Sequence, residues 1–307
     1  MDDEPAENIS GGDGDAGRFA EFEPGDGTSR AEAVVDRLGD LYWQKTYGVR
    51  KTTSSSSAAR QNAERSEDGR DAFECLVRTV LSQNTSDVAS QPAHDALMER
   101  YGGSEARSAA DSSSGERRDP RDGDGLAAAL ADAHRDELAE TISSAGLYNQ
   151  KSETLVRLAD RVCEEYGGEA GFDEFVRTGD PGEVRAALLD MKGVGPKTAD
   201  CVLLFAGGRD GVFPVDTHVH RIARRLGLAP PDADHEAVRA ALEAAVPPEK
   251  CGFGHTAMIQ FGREYCGARE PACLDGPEAC PLYERCDRVG VDELAETVVD
   301  PAEAAGE

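Results

Sequence analysis

Residues 191–227 read MKGVGPKTADCVLLFAGGRDGVFPVDTHVHRIARRLG, with a glycine turn between two helical patterns. Gly193 suits the left-handed residue that ends the helix before it, and Pro196 suits the first position of the next helix. The stretch therefore predicts a helix-hairpin-helix. Gly193, Val194 and Gly195 would let a phosphate approach backbone N–H groups at a helix start, without side-chain charge. An ordinary turn between two packed helices explains the same letters.

Two side chains around this hairpin carry chemistry. Lys197 lies in the first turn of a helix, where the positive end of the helix dipole disfavours an ammonium group. If the amine is also partly buried, it is often neutral and can act as a nucleophile. Asp216 precedes the helix THVHRIARRLG and is by default an N-cap. Near a neutral amine it could accept a proton or stabilise positive charge on a sugar.

The remaining sequence is almost entirely helical. Apolar residues recur three and four positions apart in segments that end near Gly or a polar break, which is the pattern of amphipathic helices. Strand patterns are few, because the extended piece GVFPVDT is too short to build a sheet. We expect an all-α protein of two helical lobes, in which the C-terminal cysteine segment forms a small appendage.

The charge of the chain bears on its partners. Its 60 acidic and 33 basic residues give a formal charge of -27, which ordinarily argues against nucleic-acid binding. That objection is weaker in a strongly saline cell, where an acidic surface keeps a protein in solution. Only six of the basic residues are lysine, which adds to the hypothesis of a saline environment. The acidic N-terminus differs from a secretory signal, so we expect a cytoplasmic location.

The eight cysteines fall into two groups. Four of them stand apart in apolar or helical sequence and are best explained as small buried hydrophobes: Cys75, Cys163, Cys201 and Cys251. The other four fall within 21 residues and, in a reducing compartment, are more typical of a metal site than of disulfides: Cys266, Cys273, Cys280 and Cys286.

Asp216, His218 and His220 also form D-x-H-x-H, but residues two apart diverge on a helix, so a metal site there is disfavoured. We interpret Arg221, Arg224 and Arg225 as a solvated basic face, with DNA contact as the alternative.

Several separate stretches in one order resemble the endonuclease III branch of the helix-hairpin-helix DNA glycosylases. They are VLSQNTSDV (80–88), GLYNQKSETL (146–155), MKGVGPKTAD (191–200), FPVDTHVHRIARRLGL (213–228), HTAMIQFGREYC (255–266) and the cysteine cluster. The resemblance implies a six-helix barrel beside a second helical domain, with double-stranded DNA bound in the cleft between them. Composition alone predicts a disordered acidic tail (1–30), and Ser-rich, charged stretches predict a linker (51–70) and a surface insertion (102–125). With the resemblance, the rest of the chain divides into an N-terminal helix packing with the C-terminal lobe (31–46), the barrel (71–210), the cluster lobe (211–290) and an acidic tail (291–307).

The resemblance also assigns residues. Lys197 matches the nucleophilic lysine and Asp216 the essential aspartate of an enzyme that excises a damaged base and nicks the abasic site by β-elimination. Gln83 and Asn84 match the region that fills the vacated base stack, although a polar helix cap explains them too. Gly193, Val194, Gly195 and Arg269 are the expected DNA-contacting residues of the hairpin and the cysteine loop.

The cysteine spacing departs from the family. Its gaps are six, six and five residues, where the family pattern has six, two and five, so the middle gap carries four extra residues around LDGPEA. Lengthening a flexible loop costs little, so the resemblance still implies a [4Fe-4S] cluster held by Cys266, Cys273, Cys280 and Cys286, with zinc or free thiols as alternatives. Arg269 is followed by Glu270, where relatives tend to carry several basic residues.

Two rival functions remain open. A monofunctional mismatch or adenine glycosylase usually lacks a lysine at the position of Lys197. A non-catalytic DNA-binding module would use the hairpin as a clamp alone. We expect a bifunctional enzyme that acts as a monomer on damaged bases in duplex DNA, in particular on oxidised pyrimidines.

Overall fold

The computed structural model describes residues 25, 27–42, 71–102 and 125–304, apart from the side chain of Asp87. Three expected segments therefore lie wholly or mainly outside the described residues: the acidic tail 1–30, the linker 51–70 and the insertion 102–125. The last three residues lie outside them as well. The described residues divide into two units, the first comprising 71–102 and 125–209 and the second 27–42 and 210–304.

The all-α fold expected from the sequence is confirmed. Numbered along the chain, α1 (Arg30–Tyr42) belongs to the second unit. The described part of the first unit contains α2 (Ala72–Ser82), α3 (Asp87–Tyr101), α4 (Leu126–Ala131), α5 (Arg135–Thr141), α6 (Tyr148–Tyr166), α7 (Glu169–Thr178), α8 (Pro181–Asp190) and α9 (Pro196–Cys201). A 3₁₀ turn spans Ser143–Ala145, and α9 continues as a π-helical segment, Val202–Ala206, where the sequence predicted a uniform α-helix.

Helix α2 lies at the centre of the first unit. The Asp71 carboxylate caps it by accepting from the backbone N–H groups of Phe73 and Glu74. The helix packs against α3, α4, α6, α7 and α9. Phe73, Leu76 and Leu81 are fully buried, and each such side chain contributes about 1.5–3 kcal/mol of transfer free energy. The C-terminus of α2 is therefore fixed in space, which positions the loop that follows it.

The second unit is built on a long buried helix. Its helices after α1 are α10 (Thr217–Leu226), α11 (His235–Ala245), α12 (Pro248–Glu264) and α13 (Pro301–Ala304). Helix α12 packs against α1, α10 and α11, and Phe253 and Phe261 are fully or almost fully buried along it. The extended residues 212–215 before α10 are buried without joining a sheet.

Helix α1 is attached to α12 by charge as well as by packing. Val34, Val35 and Leu38 are fully buried. Lys250 Nζ lies 2.7 Å from Glu32 Oε1 and 2.7 Å from Asp36 Oδ1, and all three side chains are largely shielded from solvent. One ammonium thus joins two carboxylates of α1 to the start of α12.

The segment predicted only as an acidic tail, 291–307, is folded as far as Ala304. A short antiparallel hairpin pairs β1 (Val291–Asp292) with β2 (Thr297–Val298), and α13 follows. The carboxylate of Asp300 accepts two hydrogen bonds from the buried Arg224, at 2.9 and 2.8 Å. This pairing and the burial of Pro301 hold the segment against α10.

No helix in the described part of the chain is both long enough and apolar enough to cross a membrane.

Candidate active site and cysteine pocket

The turn between α8 and α9 has the geometry of the predicted helix-hairpin-helix. Gly193 adopts φ +102°, a conformation that L side chains rarely adopt. A Cβ there would lie 2.6 Å from Thr154 Cγ2 on α6. The fold therefore requires glycine at this position. Val194 is buried, and its N–H donates to Met191 O at 2.9 Å, which closes the turn.

Gly195 differs from Gly193. Its backbone is extended, with φ −99° and ψ 175°, and a Cβ built there meets no atom within 4 Å. No side chain caps the start of α9, and Pro196 occupies the first helical position as predicted. Nothing in the described structure therefore demands glycine at position 195, although a Cβ would occupy space beside the helix N-terminus.

Lys197 is the second residue of α9 and is half-buried. The next three residues, Thr198, Ala199 and Asp200, are buried. Asp200 Oδ1 lies 2.7 Å from Arg185 Nε on α8, so an ion pair with a buried carboxylate and a partly exposed guanidinium joins the two helices of the hairpin. Sequence reasoning missed this pair, because neither residue differs from an ordinary helix-surface charge in the sequence.

The structure brings Gln83 to the hairpin. Its side-chain Nε2 donates to Gly193 O and to Thr198 Oγ1, each at 3.1 Å. The neighbouring Asn84 is exposed and adopts φ +52°. The two residues predicted to act together therefore differ: one contacts the hairpin and the other extends into solvent.

Leu147 is a candidate that sequence reasoning missed. It adopts φ +48°, and 53% of the residue is exposed, which is unusual for a leucine in a left-handed conformation. Its loop is attached to the loop of Gln83 and Asn84, because Thr85 Oγ1 donates to Ala145 O. An exposed apolar side chain on a constrained loop is the type of residue that wedges between bases. The residue type alone carries no signal of this conformation.

Asp216 belongs to the second unit, whereas Lys197 belongs to the first. Asp216 Oδ1 accepts from Val219 N at 2.8 Å, so the residue is the N-cap of α10 and is half-buried. The segment before it is fixed by the fully buried His255, whose Nδ1 bonds Pro214 O at 2.8 Å. The backbone leading into Asp216 is thereby held from within the unit.

His218 and His220 do not converge. His218 Nδ1 lies 3.2 Å from Arg221 Nη2. His220 Nε2 bonds Ala233 O, and its ring stacks on His235 with centroids 4.0 Å apart. The two side chains have separate partners, as expected for residues two apart on a helix.

The four clustered cysteines line one pocket. Its other lining residues are Arg225, Leu226, Phe261, Tyr265, Pro271, Leu282, Tyr283, Arg288 and Val291. The longer middle gap folds as two 3₁₀ turns, Ala272–Asp275 and Pro277–Ala279, on either side of Gly276 at φ +107°. The extra residues thus leave the thiols around a common space.

The pocket supports thiolates poorly without a cation. Burial raises the pKa of the Cys280 thiol to about 11 and that of Cys286 to about 12. Polar hydrogens do face two of the sulfurs: Arg288 N donates to Cys286 Sγ at 3.3 Å and Arg225 Nη1 to Cys266 Sγ at 3.6 Å. Bound metal would stabilise the deprotonated form, and N–H donors to sulfur are the usual second layer around such a group. In the arrangement that the described residues adopt, no group of three or more His, Cys, Asp or Glu side chains is close enough together to hold a metal ion.

The arginines of α10 correct one interpretation. They were expected to form a solvated basic face, but Arg224 and Arg225 are only 6% and 3% exposed. Arg225 donates to Gly267 O and Ala268 O, each at 2.6 Å, and Arg221 Nη2 donates to Cys266 O at 2.8 Å. Arg221 and Arg225 thus hold the start of the loop 267–272 through its backbone carbonyl groups. Arg269, at the exposed part of that loop, remains available to solvent.

The other cysteine prediction is confirmed: Cys75, Cys163, Cys201 and Cys251 are each at most 2% exposed. All eight cysteines are free of disulfides.

Comparison with known proteins agrees with this geometry. The profile of the HhH-GPD superfamily base excision DNA repair proteins matches residues 77–248. Endonuclease III of Thermotoga maritima is 32% identical over 217 residues, covering 71% of this chain and 83% of the relative, and that of Bacillus subtilis is 31% identical over 214 residues, covering 70% and 80%. A solved structure of a trapped endonuclease III–DNA covalent intermediate is 30% identical, covers 71% of this chain and 84% of that one, and has a TM-score of 0.54. The chain belongs to the HhH-GPD superfamily of base excision DNA repair proteins and, within it, to the endonuclease III family of DNA glycosylases.

Proposed function

We propose that this protein removes damaged bases, chiefly oxidised pyrimidines, from double-stranded DNA and nicks the resulting abasic site through a lysine Schiff base. One observation carries the proposal: Lys197 is half-buried in the first turn of a helix, directly after an uncapped glycine hairpin. The helix dipole disfavours a charged amine there and favours a bound anion. Nucleophile and phosphate site therefore lie on adjacent residues. The relative trapped in a covalent complex with DNA supports the same chemistry.

The first step is extrusion of the damaged nucleotide. Unstacking costs roughly a few kcal/mol, and a lesion lowers this cost. Gln83, Asn84 and Leu147 lie on two loops joined by the Thr85–Ala145 hydrogen bond. We assign them the task of filling the vacated stack: the polar side chains hydrogen-bond the exposed partner base, and the leucine wedges between neighbouring bases.

The chemical steps use Lys197. Its neutral Nζ forms a bond to C1′ of the deoxyribose, and the damaged base leaves with the electrons of the glycosidic bond and takes up a proton. Opening of the C1′–O4′ bond gives an iminium ion. Loss of a C2′ proton then expels the 3′ phosphate with its electron pair, and water hydrolyses the imine to release the lysine. We assign to Asp216 acceptance of the lysine proton and stabilisation of positive charge on the sugar.

The hairpin explains how such an acidic chain can hold DNA. The open space at Gly195 lets a phosphate oxygen approach the backbone at the start of α9. Backbone N–H groups supply this attraction, so the formal charge of -27 does not remove it. Arg269 adds a side-chain contact from the cysteine loop.

We further propose that Cys266, Cys273, Cys280 and Cys286 hold a [4Fe-4S] cluster. Four free thiols line one pocket, N–H donors face two of the sulfurs, and the resemblance to endonuclease III favours the cluster over a single zinc ion. When bound, the cluster supplies four iron–sulfur bonds that crosslink residues 266–286. Arg221 and Arg225 complete the support of the loop that carries Arg269.

Borohydride trapping tests the function. The substrate is a duplex containing an abasic site or an oxidised pyrimidine, assayed at low and at molar salt. Wild type should give a covalent adduct that Lys197→Ala abolishes and Lys192→Ala, at an exposed lysine of the same hairpin, retains. Base release without trapping would identify a monofunctional glycosylase instead, and binding without either reaction would identify a clamp.

A further inference from the structure

The side chain of Lys151 on α6 is buried, and no step proposed so far uses it. The residue is only 4% exposed. Its Nζ lies 2.7 Å from Leu81 O, 2.6 Å from Thr85 Oγ1 and 2.8 Å from Ala145 O. An ammonium group has three hydrogens, and each of them has an acceptor here. All three acceptors are neutral, and within the described residues the ammonium is paired with backbone and hydroxyl oxygens instead of a carboxylate.

The three acceptors come from two different chain segments. Leu81 lies in the last turn of α2, and Ala145 ends the 3₁₀ turn before α6. Carbonyl oxygens at helix ends lack partners within the helix and carry the negative end of the helix dipole, so a cation is favoured at both. Lys151 thus joins two helix termini through one atom.

Immediately beyond these termini lie the residues assigned to the DNA stack. Asn84 and Leu147 adopt positive φ, which is costly for a non-glycine residue and persists only where surrounding contacts enforce it. Gln83 precedes Asn84, and Thr85 follows it. The ammonium therefore lies at the base of both loops.

We propose that Lys151 is the positioning residue that fixes the two stack-filling loops, 83–85 and 145–147, relative to each other. The effect on DNA cleavage rests on the proposed function. The contact of Lys151 with both loops, here called the joint, does not depend on DNA. Burial lowers the pKa of Lys151 to about 8, so the group is still mainly charged at neutral pH and offers all three hydrogens. A methionine at this position would fill a similar volume but donate no hydrogen bond, so Leu81 O would lose its bond to the ammonium and only the Thr85–Ala145 hydrogen bond would still join the two loops.

Hydrogen exchange tests the joint without DNA. In Lys151→Met, amides of residues 83–86 and 146–148 should exchange about tenfold faster or more, while the middle of α6 is unchanged. Thr85→Val keeps the ammonium and its bonds to Leu81 O and Ala145 O but removes the threonine hydroxyl, which also donates to Ala145 O and Gln83 O, so exchange of the same amides should become faster. Lys192→Met, at an exposed lysine, should give none. Uniformly faster exchange across α2 and α6, or no change in the loops, would overturn the proposal.

Paired substrates test the consequence. Strand cleavage at an abasic site needs stack filling in a duplex but not in a single strand. Lys151→Met and Thr85→Val should reduce duplex cleavage, by about tenfold or more for the methionine variant, and leave single-strand cleavage within about twofold of wild type. Equal losses on both substrates would assign the lysine a purely structural role. If the wild-type protein neither forms a covalent adduct nor cleaves DNA, the proposed function is contradicted. The hydrogen-exchange experiment then still tests whether Lys151 fixes the two loops.

Discussion

Gln83 Nε2 donates to the carbonyl oxygen of Gly193 across a distance of 3.1 Å, so the loop after α2 and the glycine hairpin are directly bonded. The same amide group donates to Thr198 Oγ1 in the buried first turn of α9. Two regions separated by 110 positions in sequence thus form one surface in the first unit.

Gln83→Ala should remove both hydrogen bonds and the stack-filling group. We expect about 1 kcal/mol less unfolding free energy and loss of the fluorescence change of 2-aminopurine placed opposite an abasic site. Thr198→Val removes one acceptor but keeps Gln83, so the fluorescence change should persist. If the fluorescence change on DNA binding were the same in Gln83→Ala and Thr198→Val, a stacking role for Gln83 would be contradicted.

Gly193→Ala and Gly195→Ala should separate folding from binding. The first forces a side chain into φ +102° and against Thr154, so we expect a loss of more than about 1 kcal/mol in urea unfolding. The second meets open space and should cost less than about 0.5 kcal/mol, yet weaken duplex binding about tenfold in fluorescence anisotropy. If Gly195→Ala bound duplex DNA with wild-type affinity, the proposed phosphate site at Gly195 would be contradicted.

Asp216→Asn and Asp216→Ala should distinguish the charge from the cap. Asparagine also caps helices well, so Asp216→Asn should keep the stability of α10, while Asp216→Ala loses about 1 kcal/mol. Both should reduce base release by about a hundredfold or more under single-turnover conditions. Full activity in the asparagine variant would leave Asp216 as a helix cap alone.

Glu32 should make the second unit sensitive to acid. Its hydrogen bond to Lys250 is the main reason that its pKa lies at about 2, below the ordinary value of about 4.5. A lowered folded-state pKa contributes stability that is fully present above about pH 4.5 and is lost as pH falls toward 2. The difference in urea unfolding between wild type and Glu32→Gln should therefore shrink from pH 6 to pH 3.5. Glu303→Gln, at an exposed residue, should show no such trend.

Cys273→Ala should remove the cluster. We expect iron and acid-labile sulfide to fall together, with loss of visible absorbance and faster proteolysis of residues 266–286. Cys163→Ala, which changes a buried cysteine of α6, should keep both elements. Zinc in place of iron in the purified protein would contradict the proposed cofactor.

Local patterns were sufficient for most helices, because their determinants lie within a few residues. Asp71 and Asp180 cap the helices that follow them, and Pro196 begins α9, as capping rules predict. The hairpin was predictable for the same reason. The residue types and order around Lys197 and Asp216 also sufficed to name the family.

The destinations of long side chains were not predictable. Arg224, Arg225 and Lys151 look like surface cations on amphipathic helices, but each is buried against carbonyls or a carboxylate supplied from elsewhere in the chain. Helical spacing shows which residues share one face of a helix, but it does not show which distant segment of the chain packs against that face. The left-handed backbone conformation of Asn84 and Leu147 was also not predictable from the sequence, because tertiary contacts rather than residue type enforce it.

The packing of α1 on α12 has a consequence for biosynthesis. A ribosome synthesises Arg30–Tyr42 long before Lys250 and the rest of α12, against which this helix packs. The first unit can complete its core in the interval, since its residues end at position 209. Until α12 has been made, the apolar side chains of Val34, Val35 and Leu38 lack the surface that buries them in the folded protein, so this interval is the stage of synthesis at which we expect α1 to be most open to chaperones and proteases.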